Sequence, residues 1–168
     1  VLDASDGCIR LAVRATGDYA AALGRSAPGT RLAFEGPYGV MTAARAVRAG
    51  ITLIGAGAGL APLLGVARDA PRDRDVRIVA AVRDHDPLLE DELARAAAER
   101  ERHTGRPVRR HVARGPLAPS DLTGTWIEKH APGLAGDDVY VCGPPGFTRA
   151  VLEALTTAGV PPQHIHTE

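Results

Sequence analysis

Hydrophobic positions after Gly50 follow two different patterns. Short continuous apolar runs are typical of parallel strands buried on both faces, and longer segments with apolar residues at helical spacing are typical of amphipathic helices. The predicted strands cover residues 51–55, 76–82, 107–111, 138–142 and 163–167. The predicted helices cover residues 61–68, 88–103, 125–130 and 147–158. This alternation predicts an α/β fold with a doubly wound, mainly parallel five-stranded sheet and helices on both faces.

The residues before this region have a different pattern. Residues 8–14 and 31–35 alternate apolar and polar side chains, as strands with one buried face do, and a short helix is predicted over residues 19–24. Two strands and one short helix bury too little apolar surface to fold alone. We therefore expect residues 1–47 to be a piece of a β-domain, and residues 48–168 to form the α/β domain.

Charge and composition exclude several classes of protein. The 20 basic and 20 acidic residues give a formal net charge of zero, whereas a nucleic-acid surface needs clustered basic residues, so no nucleic-acid partner is expected. No apolar run approaches the roughly 20 residues that span a bilayer, and no leader-like segment opens the chain. Cys8 and Cys142 have neither disulfide-framework nor zinc spacing, which favours a reducing, cytoplasmic compartment.

The histidines do not predict a metal site. His164 and His166 are two positions apart on a predicted strand and would face the same way, but no further residue has ligand spacing. We interpret them as surface histidines and expect no metal.

A glycine-rich segment follows the first strand of the α/β domain. Ligands of open parallel sheets bind beyond the carboxyl ends of the strands. Glycines there let the backbone approach a pyrophosphate, whose charge is met by N–H groups at the start of the next helix. Residues 55–63 read Gly-Ala-Gly-Ala-Gly-Leu-Ala-Pro-Leu and depart from the strict G-x-G-x-x-G pattern. They predict phosphate binding, with a tight structural connection as the alternative.

Charged residues follow the second strand of this domain, and a cysteine ends the fourth. Arg83 could pair with a 2′-phosphate and Asp84 could accept hydrogen bonds from a ribose, so NADPH and NADH both stay open, with a solvated loop as the alternative. Cys142 is followed by a stiff Gly-Pro-Pro-Gly turn, the most specific signal in the chain. The turn places a small, soft side chain in the crevice, and a buried structural cysteine is the alternative.

Together and in this order, Gly57–Pro62, Arg83 and Cys142–Phe147 resemble the ferredoxin–NADP⁺ reductase superfamily. Glu35–Gly39 is similar to the end of that family's FAD barrel, and the closing residues 165–168 are similar to its penultimate stretch. The nearest resemblance is to the reductase domains of bacterial ferric-reductase-like and NADPH-oxidase-like flavoproteins. It implies that residues 1–47 are the C-terminal part of an antiparallel FAD-binding barrel, and that residues 48–168 are an NAD(P)-binding domain.

The resemblance also implies roles for the matched residues. The dinucleotide pyrophosphate would contact Gly57, Ala58, Gly59, Leu60, Ala61 and Pro62, and the adenosine end would meet Arg83 and Asp84. Cys142 would be the catalytic residue, near the nicotinamide C4 from which hydride passes to flavin N5. The same pocket would be lined by Gly143, Pro144, Pro145, Gly146 and Phe147. The FAD pyrophosphate would lie at Gly17, Asp18, Tyr19 and Ala20, and the interface between domains would include Pro37 and Tyr38.

The implied function is an NAD(P)H-dependent FAD oxidoreductase module that uses NADPH or NADH, with an FAD site that is incomplete in this chain. Electrons would pass on to haem, an iron–sulfur centre or ferric ion. The full-length protein would carry the upstream part of the FAD barrel. If it is ferric-reductase-like, it would also carry a membrane haem domain, with this chain on the cytosolic side. A non-catalytic or regulatory nucleotide-binding module is the alternative, and Cys142 argues against it. The Gly-Pro-Pro turn argues against a methyltransferase.

Overall fold

The computed structural model describes residues 3–5, 7–11, 13, 16–36, 39–83 and 86–167. Contacts divide the chain into two units, Val1–Gly39 and Val40–Glu168. Residues 40–47 thus lie in the second unit, whereas the sequence pattern places the boundary after residue 47.

The first unit contains a two-stranded antiparallel sheet and one helix. β1 (Asp3–Ser5) pairs with β2 (Cys8–Arg10), and α1 spans Gly17–Gly24. The predicted helix is confirmed. β2 occupies the start of the first predicted strand, whose residues 12 and 14 lie outside the described residues.

The prediction of a second strand in this unit is wrong. Residues 31–36 form no strand, and the side chains of Leu32 and Phe34 are 60% and 61% exposed. Alternation of side chains is only half of what a strand needs, because its N–H and C=O groups must pair with a neighbouring strand. Residues 31–35 have no such neighbour within the described part of this unit.

The second unit is built on a parallel sheet with the strand order β5–β4–β3–β6–β7. Its strands are β3 (Gly50–Ala56), β4 (Asp75–Val82), β5 (Arg109–Arg114), β6 (Asp137–Cys142) and β7 (Ile165–Thr167). The chain starts at the centre with β3, builds outward through β4 and β5, and returns to the other side of β3 with β6. The order reverses between β3 and β6, which makes their carboxyl ends a topological switch point. The predicted five-stranded α/β fold is confirmed.

Four helices connect these strands. They are α2 (Leu60–Asp69), α3 (Pro87–Thr104), α4 (Gly124–His130) and α5 (Pro145–Thr157). Within the described ranges, none of the helices is both long enough and apolar enough to cross a membrane.

Side chains of β3 show that the helices cover both faces of the sheet. Ile54 belongs to a core cluster that includes Ile127 of α4 and Val151 of α5. The next residue, Gly55, points the other way: a Cβ added there would lie 2.7 Å from side-chain atoms of both Leu60 and Leu63 of α2. Successive residues of a strand face opposite sides, so α2 lies on one face and the pair α4 and α5 on the other.

Prolines explain why two strands begin later than predicted. Pro107 has no N–H to donate, and the N–H of Val108 donates to the Glu101 carboxylate at 2.8 Å, so β5 begins at Arg109. Pro162–His164 forms a 3₁₀ turn, so β7 begins at Ile165.

The amino-terminal edge of the sheet holds a fully buried carboxylate, Asp138. Its Oδ2 accepts hydrogen bonds from the backbone N–H groups of Val47 and Arg48, both at 2.7 Å. Its Oδ1 faces Nδ1 of His164 at 3.2 Å and Nε2 of His166 at 3.0 Å. Burial by itself would raise the pKa of Asp138, but the hydrogen bonds outweigh it and hold the pKa below its ordinary value.

The interpretation of the two histidines as surface residues is wrong for His166, which is 9% exposed. Pairing of β6 with β7 sets His166 beside Tyr140, and the two rings stack with centroids 4.4 Å apart. Burial of Tyr140 and the Asp138 charge raise the pKa of its phenol to about 12. Across the described ranges, no three His, Cys, Asp or Glu side chains are grouped as a metal site would require.

The carboxyl end of α2 is closed by a buried arginine of α3. The Arg100 guanidinium donates to the carbonyls of Ala70, Pro71 and Arg74 at 2.8, 2.9 and 2.6 Å. Carbonyls at and beyond a helix end have no partner within the helix, so Arg100 fixes this end of α2 in place.

Candidate functional site

The carboxyl ends of β3, β4 and β6 meet at one edge of the sheet, called here the carboxyl edge. Gly55 of β3 pairs with Ala80 of β4 on one side and with Cys142 of β6 on the other. The loops that follow these strands therefore start at the same level. These loops carry most of the residues that the sequence singles out.

The loop after β3 is a glycine turn, Gly57–Gly59, which forms one turn of 3₁₀ helix before α2. Gly57 has a φ of +53° in open space, a conformation that other residues rarely adopt. Gly57 and Ala58 are exposed, and the first N–H groups of α2 have no partner within the helix. This turn offers backbone donors to an anion.

The next three residues of this segment, Leu60, Ala61 and Pro62, differ in how far they are buried. Leu60 is fully buried, and its N–H donates to carbonyls of the glycine turn, so it faces the core and not a ligand. Ala61 and Pro62 are half-buried in the first turn of α2. Pro62 lacks an N–H, but at this position in a helix that N–H would have no intrahelical partner, so the helix loses nothing.

The segment from the end of β6 to the first turn of α5 is called here the cysteine turn, Cys142–Phe147. Cys142 and Gly143 are half-buried, and Pro144 and Pro145 are exposed. Thr148 holds the turn, because its N–H donates to the Pro144 carbonyl at 2.9 Å and its hydroxyl donates to the Gly143 carbonyl at 3.3 Å. The sequence analysis did not identify Thr148; its position in the first turn of a helix was the available signal.

The two turns touch through their backbones. A Cβ added at Gly59 would lie 2.5 Å from both the carbonyl carbon and oxygen of Cys142, and 2.6 Å from the nitrogen of Gly143. Real Cβ atoms essentially never come closer than 3.0 Å to such atoms. The structure thus brings the predicted pyrophosphate segment and the predicted cysteine turn into direct contact at the carboxyl edge.

The remaining predicted residues are placed as follows. Arg83 is exposed and comes one residue after β4, at the carboxyl edge. In the first unit, Gly17, Asp18 and Tyr19 are exposed at the start of α1, Tyr19 at 95%, and Ala20 is half-buried. Three predicted positions lie outside the described residues: Pro37, Tyr38 and Asp84.

The chemistry available at these two turns follows from their composition. Gly57–Pro62 and Cys142–Phe147 contain no carboxylate and no imidazole. They present backbone N–H groups, apolar atoms and one thiol. Such a surface can bind and orient a cofactor that carries its own reactivity.

A second cluster of titratable groups lies between β5 and α4. The rings of His111 and His130 stack with centroids 3.6 Å apart, and Trp126 packs edge-on against His130 at 4.5 Å. Burial lowers the pKa of both histidines, and the nearby Lys129 lowers it further. The sequence analysis did not predict this cluster, because β5 and α4 are brought together only by the fold.

Comparisons with known proteins show the family to which this chain belongs. Residues 53–153, more than half of the chain, match the family described as oxidoreductase NAD-binding domain. The Ralstonia ferredoxin–NAD(P)⁺ reductase component of naphthalene 1,2-dioxygenase/salicylate 5-hydroxylase systems is 30% identical over 83% of this chain. NADH-cytochrome b5 reductase 1 of Lodderomyces elongisporus is 31% identical over 74% of this chain. The chain spans 44% of the length of each relative.

Solved structures show the same fold. A cytochrome P450 reductase from Amycolatopsis superposes with a TM-score of 0.54 at 29% identity, covering 71% of this chain and 37% of that one. A flavohemoglobin from Malassezia yamatoensis, solved with bound FAD and haem, gives a TM-score of 0.58 at 24% identity. It covers 79% of this chain and 35% of the flavohemoglobin.

Proposed function

The chain belongs to the oxidoreductase NAD-binding domain family, and on that premise we propose that its carboxyl edge binds NADH or NADPH and presents the nicotinamide for hydride transfer to FAD. One observation carries the proposal. Gly59 lies against the Cys142–Gly143 peptide, so a turn suited to a pyrophosphate and a turn bearing a thiol form one crevice at the switch point of the sheet.

Each wall of the crevice has a separate task. The exposed residues Gly57 and Ala58 offer their N–H groups to the pyrophosphate at the N-terminus of α2, and residues 59–62 lie beside them. Arg83, with its neighbour Asp84, meets the adenosine end. Cys142 is the catalytic residue and packs against the nicotinamide, while residues 143–147 line the pocket. The bound dinucleotide supplies the hydride itself, and the protein contributes approach geometry.

The first unit fits an incomplete flavin domain. Ile9, Leu11 and Val13 alternate along the chain and are about half exposed, at 50%, 46% and 50%. Leu32 and Phe34 alternate in the same way. Exposed apolar positions with this spacing need a further layer of β-structure to cover them. This is what we expect if residues 1–47 are one part of an FAD barrel. Gly17–Ala20, at the N-terminus of α1, offers backbone donors to the FAD pyrophosphate, and Pro37 and Tyr38 belong to the interface between domains.

The electron acceptor of the whole protein is proposed from the relatives. The Ralstonia relative is named as a ferredoxin–NAD(P)⁺ reductase component and the Lodderomyces relative as a cytochrome b5 reductase. These names favour an iron–sulfur centre or a haem protein over ferric ion. A more specific form of this proposal is that the full-length protein is ferric-reductase-like. It would then have a membrane haem domain upstream and this chain on the cytosolic side.

Titration of the chain with NADPH and NADH, with and without FAD, tests the proposal. We expect saturable binding of at least one dinucleotide, and a preference for NADPH that disappears in Arg83→Ala would locate a 2′-phosphate contact. Such a lost charged contact changes affinity by about tenfold. Absence of binding by both dinucleotides would contradict the proposal. Tight dinucleotide binding without any flavin reduction in the full-length protein would instead support the regulatory alternative.

A further inference from the structure

The contact between Gly59 and the Cys142–Gly143 peptide is a backbone contact on both sides. An added methyl at Gly59 would meet the carbon and oxygen of Cys142 at 2.5 Å and the nitrogen of Gly143 at 2.6 Å. None of these atoms is the end of a flexible side chain. The overlap can therefore be relieved only if one of the two turns moves.

The cysteine turn has little room to move away from Gly59. A Cβ added at Gly143 would lie 2.7 Å from Cδ1 of Phe147 and 3.2 Å from Cβ of Ala56. Phe147 packs in turn against the core cluster of α4 and α5. The Thr148 hydroxyl also holds the Gly143 carbonyl, at 3.3 Å.

The glycine turn is held equally firmly, because α2 is fixed along its length. Leu60 and Leu63 are fully buried and pack against Gly55 of β3. At the far end of α2, the Arg100 guanidinium holds the carbonyls of Ala70 and Pro71 at 2.8 and 2.9 Å. The helix and the glycine turn at its start thus form one rigid piece.

From these contacts we infer that Gly59 is a positioning residue: its missing side chain sets the separation between the turn that holds the pyrophosphate and the turn that presents Cys142 to the nicotinamide. This inference rests on the proposed function. The pyrophosphate and nicotinamide belong to one covalent molecule, so the two walls that hold them must stand at a matching separation. A side chain at residue 59 widens that separation without removing any group that touches the cofactor.

The test compares Gly59→Ala with wild type in the full-length flavoprotein. Single-turnover flavin reduction at saturating NADH or NADPH reports the nicotinamide position. Binding of ADP-ribose and of its 2′-phosphate, which lack nicotinamide, reports the pyrophosphate turn. We expect the reduction rate to fall by roughly 10- to 100-fold, since a displacement of about 1 Å can cost that much. The Kd of the better-bound probe should change by less than about threefold.

Gly136→Ala is the matched control. Gly136 precedes the other end of β6, a Cβ there meets nothing within 4 Å, and its φ is not positive. The same substitution should leave both measurements unchanged. If Gly59→Ala alone does not fold, the double variant Gly59→Ala/Phe147→Leu gives the cysteine turn room to retreat, and it is compared with Phe147→Leu by the same criteria.

Two results would overturn the inference. One is a reduction rate within about twofold of the reference protein, and the other is a fall in rate matched by an equal loss of probe affinity, which would mean that Gly59 serves pyrophosphate binding alone. Failure of the proposed function looks different. In that case the wild-type protein itself neither binds ADP-ribose or its 2′-phosphate nor reduces flavin with NADH or NADPH.

Discussion

β6 begins and ends in two environments that are stabilised in opposite ways. At its amino end, Asp137 and Asp138 are buried carboxylates whose partners include the Arg77 guanidinium and two histidines. At its carboxyl end, the Cys142–Gly143 peptide is held by contact with Gly59, a residue without a side chain. Charge thus fixes one edge of the sheet, and close backbone packing shapes the other. Changes at the amino edge should alter stability, and changes at the carboxyl edge should alter cofactor geometry.

The largest effect is expected from Asp138→Ala. The change leaves the N–H groups of Val47 and Arg48, and both histidines, without their acceptor. We expect the free energy of unfolding to fall by about 3 kcal/mol, because the buried His166 ring and three part-buried groups lose their acceptor together. Urea unfolding followed by circular dichroism measures this loss.

The same variant tests the separation between the two edges. Asp138 and Cys142 lie at opposite ends of β6, and sites this far apart act independently. NADH or NADPH affinity of the folded Asp138→Ala protein should therefore stay within about twofold of wild type. A stable variant with strongly weakened dinucleotide binding would show that the two ends of β6 do not act independently.

Cys142→Ala is expected to have the next largest effect. On the proposed function, loss of the thiol removes a contact with the nicotinamide while the backbone donors stay in place. Single-turnover flavin reduction in the full-length protein should slow by about tenfold, with dinucleotide affinity changed less than about threefold. Cys8→Ala, which alters an exposed cysteine of the first unit, is the control. Equal rates of flavin reduction for Cys142→Ala and Cys8→Ala would show that Cys142 is not a catalytic residue.

The smallest effect is a pH dependence specific to the amino edge. The pKa of Asp138 is lowered in the fold, so its charge contributes stability above the ordinary pKa of a carboxyl, and this contribution is lost as pH falls through the lowered pKa. Asp138→Asn keeps the size and an acceptor oxygen but removes the charge, and should cost about 1 kcal/mol at neutral pH.

Urea unfolding of wild type and Asp138→Asn across the acid range checks this dependence. The difference in unfolding free energy should be constant near neutral pH and shrink below about pH 4. A difference that persists unchanged into strong acid would show that the charge of Asp138 does not act at this edge.

The sequence was sufficient for features that depend on local pattern. β3 and β6 are continuous apolar runs bounded by glycine or aspartate, and their predicted limits lie within a residue of the observed ones. The alternation of strands and helices was enough to predict the parallel sheet. Since parallel strands end at a common edge, it was also enough to place residues 57–62, Arg83 and Cys142 together.

Features that depend on pairing between distant segments were not predictable. Residues 31–35 have the alternation of a strand but no neighbouring strand in the described part of their unit. The spacing of His164 and His166 predicted that they face the same way, and both rings do face Asp138, although His164 lies in a 3₁₀ turn and not on β7. Their partner, Asp138, follows only from the register in which Tyr140 pairs with His166. The contact of Gly59 with Cys142 likewise needs the register of β3 and β6, which no local pattern carries.

The Arg100 guanidinium also determines which substitutions this domain tolerates. Its acceptors at Ala70, Pro71 and Arg74 are main-chain carbonyls, which every amino acid possesses. The Arg100 contacts therefore place no demand on the side chains of these three residues, although Ala70 is buried and the Arg74 guanidinium donates to the Arg48 carbonyl. Arg100 itself has no such latitude, because only a long, forked, permanently charged side chain reaches these carbonyls together. A single side chain thus fixes the path of this loop through main-chain atoms alone.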